Sequence, residues 1–598
     1  MTLTSPPTWS TSYLYSGLDD PVFLADFERL CLYGEQLADV LDRRDVRGGP
    51  PRACNEADVI TAEEVVTMLN VSGDLGRTLW AFIEAHARVD SSDDTAMSFA
   101  ARLGAVIGRS RGLNTRFAAW LAALDVDTLA DGSALIDDHR GVLARLALRA
   151  QHQMSEAEES LYAEVSSTGS MAWARLHGQV SGQLDVDVLL PEGVTRMSVA
   201  QARGLASHAD PDVRHAAFEA EMTGWPTVAK ACAAALNGIK GEAAIVNRRR
   251  GWSSTLDASL FMNNVERSAY DAMTAAIVES LPDFQRFLRA KARRHGHPGG
   301  LPWWDMMAPL PGAARTRSWS DGIAQIRATF GTYSGPLQAL VDRAVDEQWI
   351  DALARTGKGP GASCIPVKGD RSLVILNWNG AMDQVFTTAH ELGHAYHNTQ
   401  LARRPAMQRD VPMALAETAS IFCETLMVNT ALDGADDDER LAILDLDLCS
   451  ASQTVSDIHS RVLFETSVFE RRPRGPLSVD ELCELMTQAQ VAAFGDAVRA
   501  DTLHPYMWAV KQHYYSSHYY NWQYTFGHLY GLGLYARYRA DADSFRAEYD
   551  DMLSRAGRDT AAQLAARFGI ELSDPTFWRS SLDVLRDRIR QYESLSAD

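Results

Sequence analysis

Apolar residues recur at three- and four-residue spacing along most of the chain. Leu79, Phe82, Ile83 and Ala87 are one such set, and Phe117, Trp120, Leu121 and Leu124 are another. That period lines up side chains on one face of an α-helix, so a mainly α protein is expected. Two stretches break the pattern. Residues 180–196 (VSGQLDVDVLLPEGVTR) alternate in polarity and carry Gly and Pro, which predicts a domain boundary or a small hairpin. Helical patterning resumes near 197 and runs to a Gly-rich joint at 295–300. Residues 355–380 (RTGKGPGASCIPVKGDRSLVILNWNG) begin with glycines and prolines, after which 372–377 reads as a short β-strand. Helical sequence then continues to the end, interrupted by an acidic loop at 433–439 and an Arg/Pro turn at 471–476.

At 598 residues the chain is long enough for several domains, at roughly 100–200 residues each. The balance of 57 Lys+Arg against 78 Asp+Glu leaves a net charge of −21. A surplus of carboxylates argues against gripping nucleic acid or an anionic membrane, both of which need a basic face. Only six of the cations are lysines (Lys230, Lys240, Lys291, Lys358, Lys368 and Lys511), a bias ascribed to base composition. Seven scattered cysteines without a Cys-x-x-Cys pair indicate neither a disulfide framework nor a thiolate zinc site. With no signal peptide visible and no apolar run of about 18 residues, a cytoplasmic protein is expected.

Residues 387–397 read TTAHELGHAYH. His390 and His394 lie four apart, so on a helix they project from one face. With Glu391 they form His-Glu-x-x-His, in which two imidazoles hold Zn²⁺ and the glutamate is general base to water. Catalytic zinc needs a third protein ligand, with one position left open. Glu417, 23 residues after His394 in the apolar stretch VPMALAETASIFCETL, supplies it, because a carboxylate there without a cation would be costly. Glu424 falls on the same helical face and is a candidate partner for a ligand histidine. His397 is assigned a role beside the ligands or facing substrate. The pair His295 and His297, in the Gly/Pro joint, is not read as a metal site.

Taken together, GASCIPVKGDRSLVILNWNGAMDQVFTTAHELGHAYH and the later AETASIFCE resemble the oligopeptidase F-type enzymes of the thimet oligopeptidase superfamily. TWSTSYLYSGLDDPVF near the start, LPWWDMMAPLP at 301–311 and the tyrosine-rich HYYSSHYYNWQYTFG at 513–527 extend the resemblance over almost the full chain. It implies His390, His394 and Glu417 as ligands of one Zn²⁺ per chain, with Glu391 as base. It also implies that His513, Tyr520 and Tyr524 donate to the carbonyl oxygen as negative charge develops there. Two positions depart from the family pattern: Trp522 stands where a tyrosine is expected and His518 where a proline is expected. The strand SLVILN would be an edge strand beside the metal, pairing with an extended peptide, with Gly361, Ala362, Leu376 and Asn377 as its substrate-facing residues; a plain packing element is the other reading of that strand.

The expected fold is therefore mainly α, a two-lobed helical metallopeptidase with a deep substrate channel and a small β-sheet beside the zinc helix. The expected domains are an N-terminal α-helical one over 1–190 and a catalytic one over 191–598. The expected activity is zinc-dependent endopeptidase cleavage of short oligopeptides. The alternatives are a carboxypeptidase or dipeptidyl carboxypeptidase on a similar scaffold, for which Lys511 is a candidate counter-charge, and a non-catalytic peptide-binding relative. Short peptides are the expected partners, with no nucleic acid and no membrane. The oligomeric state stays open, a monomer being compatible.

Overall fold

The computed structural model describes residues 5–310, 316–359 and 361–596; Pro311, at the end of the 301–311 motif, and Pro360, in the Gly-rich stretch, lie outside it. The architecture is mainly helical with two small sheets. Five strands are present: β1 (Asp185–Leu190), β2 (Gly193–Ser198), β3 (Ile350–Asp351), β4 (Ser363–Pro366) and β5 (Ser372–Ile375). The helices that carry the argument below are α1 (Pro211–Arg249), α2 (Met382–Leu401), α3 (Thr418–Gly434), α4 (Ile458–Arg471) and α5 (Trp522–Ala540). No helix among the described residues is long and apolar enough to cross a membrane.

The chain forms two compact units. One comprises Met1–Gln153, Arg315–Met427 and Tyr538–Gly569; the other comprises Met154–Ala314, Val428–Arg537 and Ile570–Asp598. Each is assembled from three stretches of chain.

In the first unit the helical periodicity of the sequence becomes a core. Leu79, Phe82 and Ile83 are buried, as are Phe117, Trp120, Leu121 and Leu124. Phe82 meets Tyr15 edge-on with ring centroids 5.0 Å apart, and Phe23 meets Phe99 at 4.9 Å, an arrangement the ring quadrupoles favour. The helix Glu56–Val89 starts at a capping box in which Asn55 and Asp58 satisfy each other's backbone N–H, closing two of the donors every helix start leaves open.

The same unit holds the three-stranded sheet, ordered β3–β5–β4. β5 runs parallel to β3 and antiparallel to β4, with Cys364 opposite Val374 and Ile365 opposite Leu373. This corrects one expectation: SLVILN is the central strand, not the edge. Its residues 372–375 are all buried, which is why the sequence there is a continuous apolar run instead of an alternating one. The two edge strands, each pairing among the described strands only with β5, are β3 and β4. Gly361, with φ +83°, and Ala362 lead into β4. The sheet lies against α2, where Asn398 Nδ2 donates to Ser372 Oγ at 3.0 Å.

In the second unit residues 180–196 prove to hold a hairpin, β1 pairing with β2 and closing at Leu190 opposite Gly193. Val186 and Val188 point inward onto α1. A Cβ at Gly224 of α1 would stand 2.5 Å from Val186, so the absence of a side chain there lets the hairpin dock. The larger core of this unit gathers Trp225, Leu236, Trp508, Tyr514 and Tyr515.

Candidate metal centre

α2 buries Val385, Phe386, Ala389, Leu392, Ala395 and Tyr396, the apolar stripe of an amphipathic helix. His390 and His394 project together from its other side, ring centroids 5.0 Å apart. Glu417 comes from the break between the short helix Met413–Ala416 and α3, not from within a continuous helix. The break is fastened by Thr418 Oγ1, which donates to the Leu415 carbonyl at 2.6 Å.

Glu417 Oε2 stands 3.2 Å from His390 Nε2 and 3.3 Å from His394 Nε2. Zinc bonds of about 2.0–2.1 Å at a tetrahedral angle separate neighbouring donor atoms by about 3.3–3.4 Å. The two measured separations are thus those of ligands already at zinc-binding spacing. Among the described residues these three form the one cluster of His, Cys, Asp or Glu whose ligand atoms lie close enough together to hold a metal ion.

The surrounding groups orient the ligands. His390 Nδ1 lies 2.9 Å from Glu424 Oε2, a contact that would keep a proton on Nδ1 and leave Nε2 to a metal once it gives up its own proton. Ser420 Oγ donates to Glu417 Oε2 at 2.8 Å. Although burial opposes it, hydrogen bonds from His390 and His394 hold the Glu417 carboxyl far below the usual carboxylate range, so it is an anion when a cation arrives.

Glu391 is buried and its Oε2 has no hydrogen-bond partner. Burial raises its pKa, while His390 and His394 pull the other way. A carboxylate oxygen kept without a partner inside a protein is expensive.

Gly393, between the two histidines, was not singled out from the sequence. A Cβ there would lie 2.7 Å from both the Ala419 carbonyl oxygen and Ser420 Cα, and 3.0 Å from Cys423 Cβ. Only a glycine lets α2 approach α3 closely enough for Glu417 to reach the histidines. The available signal was a glycine in mid-helix, which is about 1 kcal/mol less favourable than alanine unless packing requires it.

His397 is buried and lies 3.1 Å from the Leu553 carbonyl through Nε2. Burial, reinforced by His394, draws it down to about 4. It is a neutral tie from α2 to the helix Ala542–Ser554, and it also bonds the backbone of Ala416, next to Glu417. Leu376 is also tied off: its N–H donates to Asp351 O at 3.0 Å and its carbonyl accepts from Lys358 Nζ at 2.5 Å. Asn377 Nδ2 donates to the Gly359 carbonyl at 3.1 Å. The main chain of Leu376 is therefore already paired within the protein. His297, as expected, is no ligand; its Nε2 contacts Asp305 Oδ2 at 2.6 Å.

His513, Tyr520 and Tyr524 belong to the other unit, where they cluster. His513 lies 5.1 Å from Tyr520 and 5.9 Å from Tyr524, ring centre to ring centre, and the two tyrosines are 5.4 Å apart. Burial, helped by the charges of Arg461 and Lys511, lowers the His513 pKa, so the imidazole is neutral at neutral pH and keeps one N–H to donate. The loop carrying Tyr520 is pinned from beneath. Lys240 Nζ contacts Glu465 Oε1 at 2.6 Å and donates to the Ser517 carbonyl at 3.0 Å, and Glu465 Oε1 accepts from the Tyr519 N–H at 2.9 Å. Tyr519 itself takes a left-handed φ of +49°. The two departures from the family pattern belong to this framework: His518 Nδ1 sits 3.3 Å from Lys240 Nζ, and Trp522 is a core residue donating to Ser259 Oγ at 3.1 Å.

Comparison with known proteins agrees with the resemblance read from the motifs. Residues 338–584 match Peptidase family M3. An oligoendopeptidase F homolog of Lactococcus lactis is 25% identical over 349 residues, 58% of each chain, so the match spans little more than half the length of that relative. Group B oligopeptidase PepB of Streptococcus agalactiae is 23% identical over 456 residues, 75% of each. In fold, the chain is similar to a putative peptidase from Chlamydophila abortus, with a TM-score of 0.80 at 17% identity over 98% of each chain. It is also similar to oligoendopeptidase-F from Enterococcus faecium, with a TM-score of 0.71 at 17% identity over 96% of this chain and 98% of that one.

Proposed function

We propose that this chain, which carries a Peptidase family M3 domain over residues 338–584, is a zinc-dependent endopeptidase acting on short oligopeptides. The observation that carries the reading is the convergence of His390 Nε2, His394 Nε2 and Glu417 Oε2 at zinc-ligand spacing beside the partnerless carboxylate oxygen of Glu391. His390, His394 and Glu417 would hold one Zn²⁺, which when bound acidifies water and polarises a carbonyl. Glu391 takes the proton of the attacking water and delivers it to the leaving amine. Its buried position favours both halves of that task, since a raised pKa makes it a better base than an exposed carboxylate. Glu424 keeps His390 in the tautomer that presents Nε2. The resemblance assigns stabilisation of the developing oxyanion to His513, Tyr520 and Tyr524, and their clustering supports that assignment.

A carboxypeptidase-type reading needs a cation for the substrate's terminal carboxylate, and the ammonium of Lys511, described below, is the observation in its favour. Mapping products from peptides of graded length separates the two readings, because an exopeptidase cuts at a fixed distance from the C-terminus. A purely binding protein has no use for Glu391.

The decisive test is Glu391→Gln, assayed for zinc content and for cleavage of a mixed peptide library. Zinc is retained and turnover falls by about 10²–10⁴; full activity would overturn the mechanism. Glu417→Ala, in contrast, loses zinc, and an unchanged zinc stoichiometry would remove Glu417 from the ligand set.

A further inference from the structure

Within the second unit lies a cavity of about 110 Å³ that the hydrolytic reading does not use. Its walls are largely apolar, including Phe218, Trp303, Trp304, Met306 and Met507, and five charged groups also line it: Arg203, Arg214, Glu221, Asp457 and Lys511. Their pairing is uneven. Arg214 is bound to Asp305 at 2.7 Å, Arg203 to Glu221 at 2.8 Å, and Asp457 to Arg461. Both acids of the lining therefore have an arginine of their own. The Lys511 ammonium has neither an ion pair nor a hydrogen bond among the described residues.

That isolation is out of character for a lysine of this protein. Lys240, Lys291 and Lys358 are buried too, and each contacts a carboxylate, Glu465 at 2.6 Å, Asp445 at 2.7 Å and Asp351 at 2.8 Å. Burial, together with the nearby cations Arg461 and Arg203, draws Lys511 down to about 7, against the weaker pull of Asp457 and Glu221. An anion in contact with it would restore the charge that this setting penalises. Two further features face the same space. Ser452, 3% exposed, lines the cavity with an Oγ that has no partner. The turn Gln453–Asp457 is a π-helix insertion, a distortion that recurs at functional sites, and it contributes Gln453 and Asp457 to the lining.

We propose that this cavity is a carboxylate site, taking the free C-terminal residue of a peptide with Lys511 as counter-charge, Ser452 as a hydrogen-bond donor and the tryptophans against an apolar side chain. At about 110 Å³ the space is smaller than the roughly 150 Å³ that accommodates a benzene ring, so it suits a carboxylate with a small apolar side chain and no more. That the carboxylate belongs to a peptide rests on the hydrolytic reading; the anion site itself does not.

The test is calorimetric binding at pH 6.5 to the Glu391→Gln protein, which binds without turning over. The probes are an N-acetylated pentapeptide ending in alanine, the same peptide as its C-terminal amide, and N-acetylalanine. The free acid binds about 10- to 100-fold more tightly than the amide, the worth of one hydrogen-bonded charge pair. Adding Lys511→Met abolishes that preference and Lys511→Arg keeps it. Equal affinity for acid and amide, or a preference that survives Lys511→Met, overturns the proposal. Lys511-dependent binding of N-acetylalanine alone overturns its peptide part and assigns the cavity to a free carboxylic acid. Turnover of the same pentapeptide by the unmodified protein is measured separately. If it is bound through Lys511 yet not cut, the hydrolytic reading fails and the carboxylate site stands.

Discussion

Gly393→Ala tests the packing that brings the metal ligands together. Alanine at a mid-helix position gains about 1 kcal/mol of helix propensity, so if only α2 mattered the variant would be more stable. The added Cβ, however, would sit 2.7 Å from the Ala419 carbonyl oxygen and from Ser420 Cα, and ordinary contact begins at 3.4 Å. Both are backbone atoms that cannot rotate aside, so α3 must retreat by about 0.7 Å, taken as the difference of those two distances. Overpacking of this kind costs about 1–3 kcal/mol, and rigid neighbours place it toward the upper end, leaving a net loss of about 1–2 kcal/mol. The larger consequence falls on the metal. Ligand distances hold to within about 0.2 Å, and Glu417 and Ser420 stand at the displaced end of α3. Zinc affinity, measured by chelator competition, should fall by at least about tenfold, the scale seen when ligand orientation is disturbed. Unchanged zinc affinity with a raised melting temperature would refute the reasoning.

Three further outcomes are expected. Glu424→Ala frees His390 Nδ1 and lowers zinc affinity by about 10–100-fold without removing a ligand, which the same competition assay distinguishes from the outright loss in Glu417→Ala. Tyr524→Phe lowers kcat by about 10²–10³ with KM little changed if the phenol donates to the developing oxyanion; steady-state kinetics on a single peptide decides it. His459 is buried, and burial pulls it down to about 4. The folded state therefore resists its protonation, and stability falls as pH drops from the unfolded value of about 6.5 through 4, by up to about 3 kcal/mol. His459→Gln should flatten the dependence of the urea midpoint on pH across that window, and an unaltered slope would remove His459 as the cause.

How much of this was legible in the sequence can be followed residue by residue. His390, Glu391 and His394 could be placed because a helix converts a spacing of four into a shared face, a purely local relation. Phe82, Trp120 and their neighbours were legible for the same reason. Glu417 was found through the cost of a carboxylate in apolar surroundings, yet its position at a break between two helices was not visible, since that break depends on the packing of α3 against α2. The strand 372–377 was recognised as β by its residues, but its place in the sheet was misread. A continuous apolar run marks burial on both faces without naming its neighbours, and β3 and β4 come from residues on the same side of it in sequence. His397 was given a place beside the ligands from its position along the helix; in space it bonds the backbone of Leu553 and of Ala416, the latter next to Glu417.

The sequence by itself determined the helical class, the shared helix face of His390 and His394 with Glu391 beside it, and the break in helical pattern before residue 197, because each follows from relations between residues a few positions apart. The tertiary structure decided which carboxylate orients His390, why Gly393 must be small, which strands are the edges, and which of the buried lysines lacks an acid. Those answers rest on atoms distant in sequence that meet at 2.6–3.3 Å, and no local pattern encodes such meetings. The physical reason is that periodicity reports which face of an element is buried, whereas the partner buried against it is chosen only when the whole chain packs.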